Sequence, residues 1–132
     1  MTLELENTTV SIHKGKLPNL PFLELKEDVL GKDFDLSLSF VSEKDAKNLN
    51  KKHRDKDYIP NTLSFPYSPK SGEIFLQLET ILSQAPEFEM SEPVYLLYIY
   101  IHSLLHLKSL DHGPKMDKLE KKYLQKYSAN ML

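Results

Sequence analysis

Residues 92–109 read EPVYLLYIYIHSLLHLKS, and no other stretch restricts the fold as strongly. The run is apolar nearly all round, so as a helix it has no face to give to water and must lie buried at the centre of the protein. Ser91 and Pro93 mark its start as N-cap and first-turn residues. Asp111-His112-Gly113-Pro114 breaks it. The rest of the chain must then supply the layer that covers this helix.

FDLSLSFV (34–41) alternates Phe34, Leu36, Leu38 and Phe40 with Asp35, Ser37 and Ser39. That period of two predicts a strand with one buried face. Ser42 stands three residues before Asp45, which predicts a capped helix running to about Arg54 and then an exposed loop over 55–60. Further strands are expected over 8–13, over 61–65 where Pro66 ends the run, and over 72–78, the last two pairing as a hairpin across PYSPKSG. A weak amphipathic helix is expected over 19–30 and a short one over 79–84. The last helix follows Pro114 and carries Met116, Leu119, Tyr123 and Tyr127 on one stripe. This order predicts an α+β fold, a small mixed β-sheet packed against helices with the buried central helix carrying the histidines, as one domain over 1–132.

The chain of 132 residues is 40% hydrophobic, enough for one core and no second. A formal charge of -2 excludes a strongly basic nucleic-acid or membrane binder, so any polyanion site must be a local patch. With 0 cysteines there are no disulfides, thiolate metal sites or cysteine nucleophiles, and metal chemistry falls to histidine and carboxylate. The start, MTLELENTTV, lacks the basic-then-apolar pattern of a secretory signal, and the longest apolar stretch, Val94 to Ile101, is too short to span a bilayer. The expectation is a soluble cytoplasmic protein.

His102 and His106 are four residues apart, and a helix turns about 100° per residue, so both imidazoles leave one face about one turn apart. His112 comes after the break, where the chain can fold back and bring a third imidazole to the same point. A lone histidine on an apolar helix is usually a core residue bonded to a carbonyl. Here three of 5 histidines fall within eleven residues, and burying them without partners would be costly. Three neutral imidazoles with one open position are the donor set of a catalytic zinc site, so one Zn2+ per chain is expected on His102, His106 and His112. Asp111 is a candidate acceptor orienting one imidazole, or a cap for the turn.

The H-x3-H-x5-H spacing also occurs in zinc proteases of the H-E-x-x-H-x-x-G-x-x-H type. The position that must hold their glutamate base is Ser103, and their turn glycine is Ser109. A protease would have to find its base elsewhere.

HSLLHLKSLDH resembles the H-G-x-L-H-L-x-G-Y-D-H motif of the YbeY family, bacterial endoribonucleases that mature ribosomal RNA. LNKKHRDKDYIPNTLSFP (49–66) is similar to that family's L-N-x-x-Y-R-x-K-D-x-P-T-D-V-L-S-F-P at Leu49, Asn50, Arg54, Lys56, Asp57, Leu63, Ser64, Phe65 and Pro66. GEIFL resembles the family's G-D-I strand, and Met116 stands at its methionine after the histidines. The departures are Ser103 and Ser109 for glycines, Leu110 and His53 for tyrosines, and Pro60-Asn61 for Thr-Asp. A left-handed Ser109 would cost about 1 kcal/mol, and Asn61 removes a charge near the site.

The resemblance implies a metal-dependent, single-strand-specific endoribonuclease. It would act on the 3′ end of the small-subunit (16S) ribosomal RNA and in ribosome quality control. The metal ligands map onto His102, His106 and His112, and the functional arginine onto Arg54. Catalysis is then expected from Arg54 and His102, because a guanidinium can grip two phosphate oxygens while a metal neutralises developing charge. Lys51, Lys52 and Lys56 beside Arg54 are the expected RNA-binding patch, although a solvated helix end reads the same way. Ser64 is read as structural or RNA-contacting, and His53 as an exposed helix-end residue. The expected partners are single-stranded ribosomal RNA and the small ribosomal subunit with its proteins, not DNA or a membrane. The rival readings are an RNA-binding assembly factor whose metal only holds the fold, and, behind it, a zinc protease.

Overall fold

The structure, a computed structural model, describes residues 2–109 and 112–129. Its elements in chain order are β1 (Thr2–Leu5), β2 (Thr8–Ile12), α1 (Phe22–Leu30), β3 (Asp35–Phe40), α2 (Glu43–Arg54), β4 (Thr62–Ser68), β5 (Ser71–Leu76), α3 (Leu78–Gln84), a 3₁₀ turn (Ala85–Phe88), α4 (Glu92–Leu107) and α5 (Pro114–Ser128). The five strands form one mixed sheet in the order β1-β2-β3-β5-β4. Pairing is parallel for β2 with β3 and β3 with β5, and antiparallel at the two outer pairs. This is the expected α+β architecture.

The alternation of β3 decides which face of the sheet is covered. Leu36, Leu38 and Phe40 are buried with Val10, Ile12, Ile74 and Leu76 of its neighbours, and α4 lies over them with Leu97, Ile101, Leu104 and Leu105. Truncating one such leucine to alanine costs about 2–5 kcal/mol, a large part of a small domain's stability. The helix packs against α5, β4, α3 and α1, which explains why its sequence has no polar face. Tyr100 brings a hydroxyl into this core and satisfies it by donating to the Phe22 carbonyl at 2.8 Å. The expected caps form: Ser42 Oγ accepts from the Asp45 amide at 3.1 Å and Ser91 Oγ from the Val94 amide at 3.4 Å.

Several boundaries differ from expectation, among them α1, which starts at Phe22 rather than 19, and α4, which ends at Leu107; three of the differences have a plain physical reason. β1 precedes the first expected strand; it is mostly exposed and pairs with β2 alone, so burial left no pattern to read. The turn between them uses Asn7 at φ 50°, and asparagine tolerates the left-handed region. β4 runs through Pro66 to Ser68, because β4 is an edge strand, where a residue without an amide hydrogen is tolerated, and its register shifts between Pro66 and Ser68. β5 ends at Leu76 rather than at 78, since Gln77 turns to cap α3, its Oε1 accepting from the Thr80 amide at 2.8 Å.

One glycine fixes the approach of the histidine-bearing helix. A Cβ on Gly72 of β5 would lie 2.9 Å from a Leu107 side-chain carbon and 3.2 Å from the Phe65 carbonyl. Glycine here lets the end of α4 sit close to the sheet without Leu107 or the Phe65 carbonyl having to shift. Among the described residues no helix is long and apolar enough to cross a membrane.

Candidate metal centre

His102 and His106 leave α4 on one side, at the seam with β4 and α5, and are half-buried; His112 stands exposed just before α5. The chain returns through a tight exit: Ser109 adopts φ 66°, its amide donating to the His106 carbonyl at 3.0 Å, and Gly113 at φ 153° precedes Pro114 at the start of α5. Ser109 thus takes the left-handed conformation where glycine would be unstrained. The result is convergence. The Nε2 atoms of His102 and His106 are 3.0 Å apart, and the three ligand atoms lie within 4.8 Å of one another. Nitrogen ligands of a tetrahedral zinc ion are about 3.3 Å apart, from bond lengths of roughly 2.0–2.1 Å. Spacing and donor chemistry therefore both fit a metal ion held by His102, His106 and His112.

A buried carboxylate orients His102. Glu120 of α5 is 4% exposed, and its Oε2 lies 2.8 Å from His102 Nδ1. A carboxylate only accepts, so Nδ1 carries the proton and Nε2 keeps its lone pair for a metal. Tyr98, one turn earlier on α4, donates its hydroxyl to the same carboxylate. Burial, then the charge of Glu120 and this hydrogen bond, push the Tyr98 phenol up to about 12. It remains a donor at any physiological pH. Sequence reasoning placed the orienting carboxylate at Asp111, which lies outside the described residues, and missed Glu120. A signal was available: Glu120 is a charged residue on the stripe of Met116, Leu119 and Tyr123, and an acid there needs a partner.

The wall opposite the histidines is β4. Ser103, in the position of a protease's base, is fully buried; its Oγ donates to the Ile99 carbonyl at 2.8 Å and lies 2.7 Å from Thr62 Oγ. Ser64 Oγ donates to the Ser103 carbonyl at 3.4 Å, so the two serines tie strand to helix. Ser64, read as structural or RNA-contacting, makes this structural contact and also lines the cleft. Asn61 donates its amide to Gln84 Oε1 at 3.0 Å, anchoring the start of β4 to α3.

Arg54 closes the arrangement. It is the last residue of α2, and with Tyr58, Asn61, Thr62, Ser64 and the three histidines it lines one cleft of about 520 Å³. Asn50, a turn earlier and fully buried, shapes this corner: its carbonyl accepts from the Lys56 amide at 3.3 Å and its side-chain amide donates to the Tyr58 carbonyl at 3.1 Å. Asn50 Oδ1 has no hydrogen-bond partner among the described residues. Lys51, Lys52 and Lys56 are exposed beside Arg54 but do not line the cleft, and Lys51 faces Asp55 at 3.4 Å. His53 is exposed, as expected, and its ring lies 5.0 Å from that of Phe65.

A mixed sheet on helices, with three convergent imidazoles that could hold a metal ion and an arginine lining the same cleft, makes this an α+β protein with a candidate metal centre. The family model described as endoribonuclease YbeY matches residues 7–132. The chain belongs to the endoribonuclease YbeY family. It is 33% identical over 103 residues to endoribonuclease YbeY of Finegoldia magna, covering 73% of this chain and 65% of that one. Against the Alkaliphilus metalliredigens protein of the same name it is 35% identical over 91 residues, covering 61% and 59%. Against that of Mesomycoplasma hyopneumoniae it is 32% identical over 117 residues, covering 80% and 77%. The chain thus spans slightly less than two thirds of the first two relatives. The solution structure of TM1509 from Thermotoga maritima superposes with a TM-score of 0.67 and 26% identity, covering 92% of this chain and 91% of that one.

Proposed function

We propose that this protein is a metal-dependent, single-strand-specific endoribonuclease that holds zinc on His102, His106 and His112 and cleaves ribosomal RNA. The observation that carries the reading is that Arg54 and the three histidines, nearly fifty residues apart in sequence, line the same cleft. Arg54 grips two oxygens of the scissile phosphate. Zinc, when bound, supplies a Lewis acid for a phosphoryl oxygen and lowers the pKa of water to about 7. Glu120 holds His102 in the ligating tautomer, and the Thr62–Ser103 pair keeps the β4 wall at a fixed distance from α4. Lys51, Lys52 and Lys56 draw the polyanion toward Arg54. The physiological substrate in this reading is the 3′ end of the small-subunit RNA, met on the small subunit in the cytoplasm.

Cleavage of single-stranded ribosomal RNA, followed with and without chelator for wild type, Arg54→Ala and His106→Ala, tests this. Wild type cleaves only without chelator, and both variants lose activity. Binding without cleavage would instead assign the domain to RNA-binding assembly factors with a structural metal. Equal cleavage in every sample would identify a contaminant. Metal-dependent cleavage of peptides would revive the protease.

A further inference from the structure

Tyr58 is half exposed, at 50%, in a chain that buries most of its large side chains, and it stands in the wall of the metal cleft beside Arg54. Its position is not left to a free loop. Buried Asn50 holds the Tyr58 carbonyl through its side-chain amide and the Lys56 amide through its own carbonyl, one helical turn before Arg54. One buried residue therefore fixes the backbone that carries Tyr58 into the cleft wall beside Arg54. The acids of the same loop are met by lysines, Asp55 by Lys51 at 3.4 Å and Asp57 by Lys47 at 3.8 Å, which lessens their repulsion of a polyanion. At about 520 Å³ the cleft is also larger than a metal and one phosphate require.

We infer that Tyr58 is a stacking platform for an unpaired nucleobase adjacent to the phosphate gripped by Arg54, and that it separates single-stranded from duplex RNA at this site. The inference rests on the endoribonuclease reading and adds the ring to it. Every base offers a π-face, so such a platform tolerates any sequence, whereas a base in a duplex is already stacked on both sides. Because Asn50 holds the Tyr58 carbonyl, the backbone bearing the ring loses little freedom on binding.

The sequence contains 0 tryptophans, so Tyr58→Trp creates a unique fluorophore in the cleft. The probe is a short single-stranded oligoadenylate in excess chelator, with the same strand annealed to its complement as the comparison. The platform predicts saturable quenching by the single strand and little by the duplex. With metal present, Tyr58→Ala raises KM for single-stranded RNA by about 5- to 160-fold, the range for losing one base–aromatic stack, while kcat changes little and Tyr58→Phe retains wild-type values. Equal quenching by both RNAs, an unchanged KM in Tyr58→Ala, or a loss confined to kcat would overturn the inference. Should Tyr58→Ala misfold by circular dichroism, Tyr58→Trp decides alone. Failure of the nuclease reading is separate, because wild type would then not cleave, whether or not Tyr58→Trp is quenched.

Discussion

Glu120 Oε2 lies 2.8 Å from His102 Nδ1, joining α5 to the metal-facing edge of α4 through a carboxylate that the core almost closes over. Carboxylate partners of ligating histidines fix the tautomer and strengthen the ligand, and removing them weakens metal binding by about 10- to 100-fold. Glu120→Ala should show that loss in a competition titration against a zinc chelator. Glu120→Gln, whose carbonyl can still accept from Nδ1, should fall between the two. A Glu120→Ala protein with wild-type zinc affinity would show that the contact serves packing alone.

Ser109 at φ 66° leads from His106 toward His112 in a conformation that glycine adopts freely. Ser109→Gly should therefore stabilise the metal-free protein by about 1 kcal/mol, read as a higher urea midpoint with unchanged slope. A midpoint that falls would mean that the gain in unfolded-chain entropy outweighs the strain relieved.

Asp28 of α1 accepts from Lys126 and Tyr127 of α5, and these hydrogen bonds hold its carboxyl below the ordinary 3.8. Because the folded pKa is the lower one, the contact stabilises the protein above pH 3.8 and is lost as pH falls through the folded value. Asp28→Asn should lower the urea midpoint at neutral pH by an amount worth under about 1 kcal/mol, since the pair is partly exposed, and the difference should vanish in acid. A difference that stays constant with pH would contradict this assignment.

How far the sequence could be read follows from where each signal lived. The run through His102 and His106 predicted both the buried helix and the ligands, because one helical period governs packing and convergence alike. The alternation of β3 was legible for the same reason. β1 was not, since an exposed edge strand is held by backbone hydrogen bonds and leaves no burial pattern. Glu120 was hidden because its partner sits on another helix, eighteen residues earlier, while Asp111 drew attention by being adjacent. That Tyr58 lines the cleft was not legible, for nothing local tells an exposed loop tyrosine from one whose backbone Asn50 holds beside a cleft.

If metal and Arg54 act at one phosphate, a zinc titration into metal-free protein with single-stranded RNA present tests it most directly. Single-turnover cleavage should rise with bound zinc and level off at about one ion per chain, as expected for a single three-histidine site. Arg54→Ala should take up the same zinc and fail to cleave, and His106→Ala should do neither. Cleavage by the metal-free protein, or by Arg54→Ala at the wild-type rate, would contradict it.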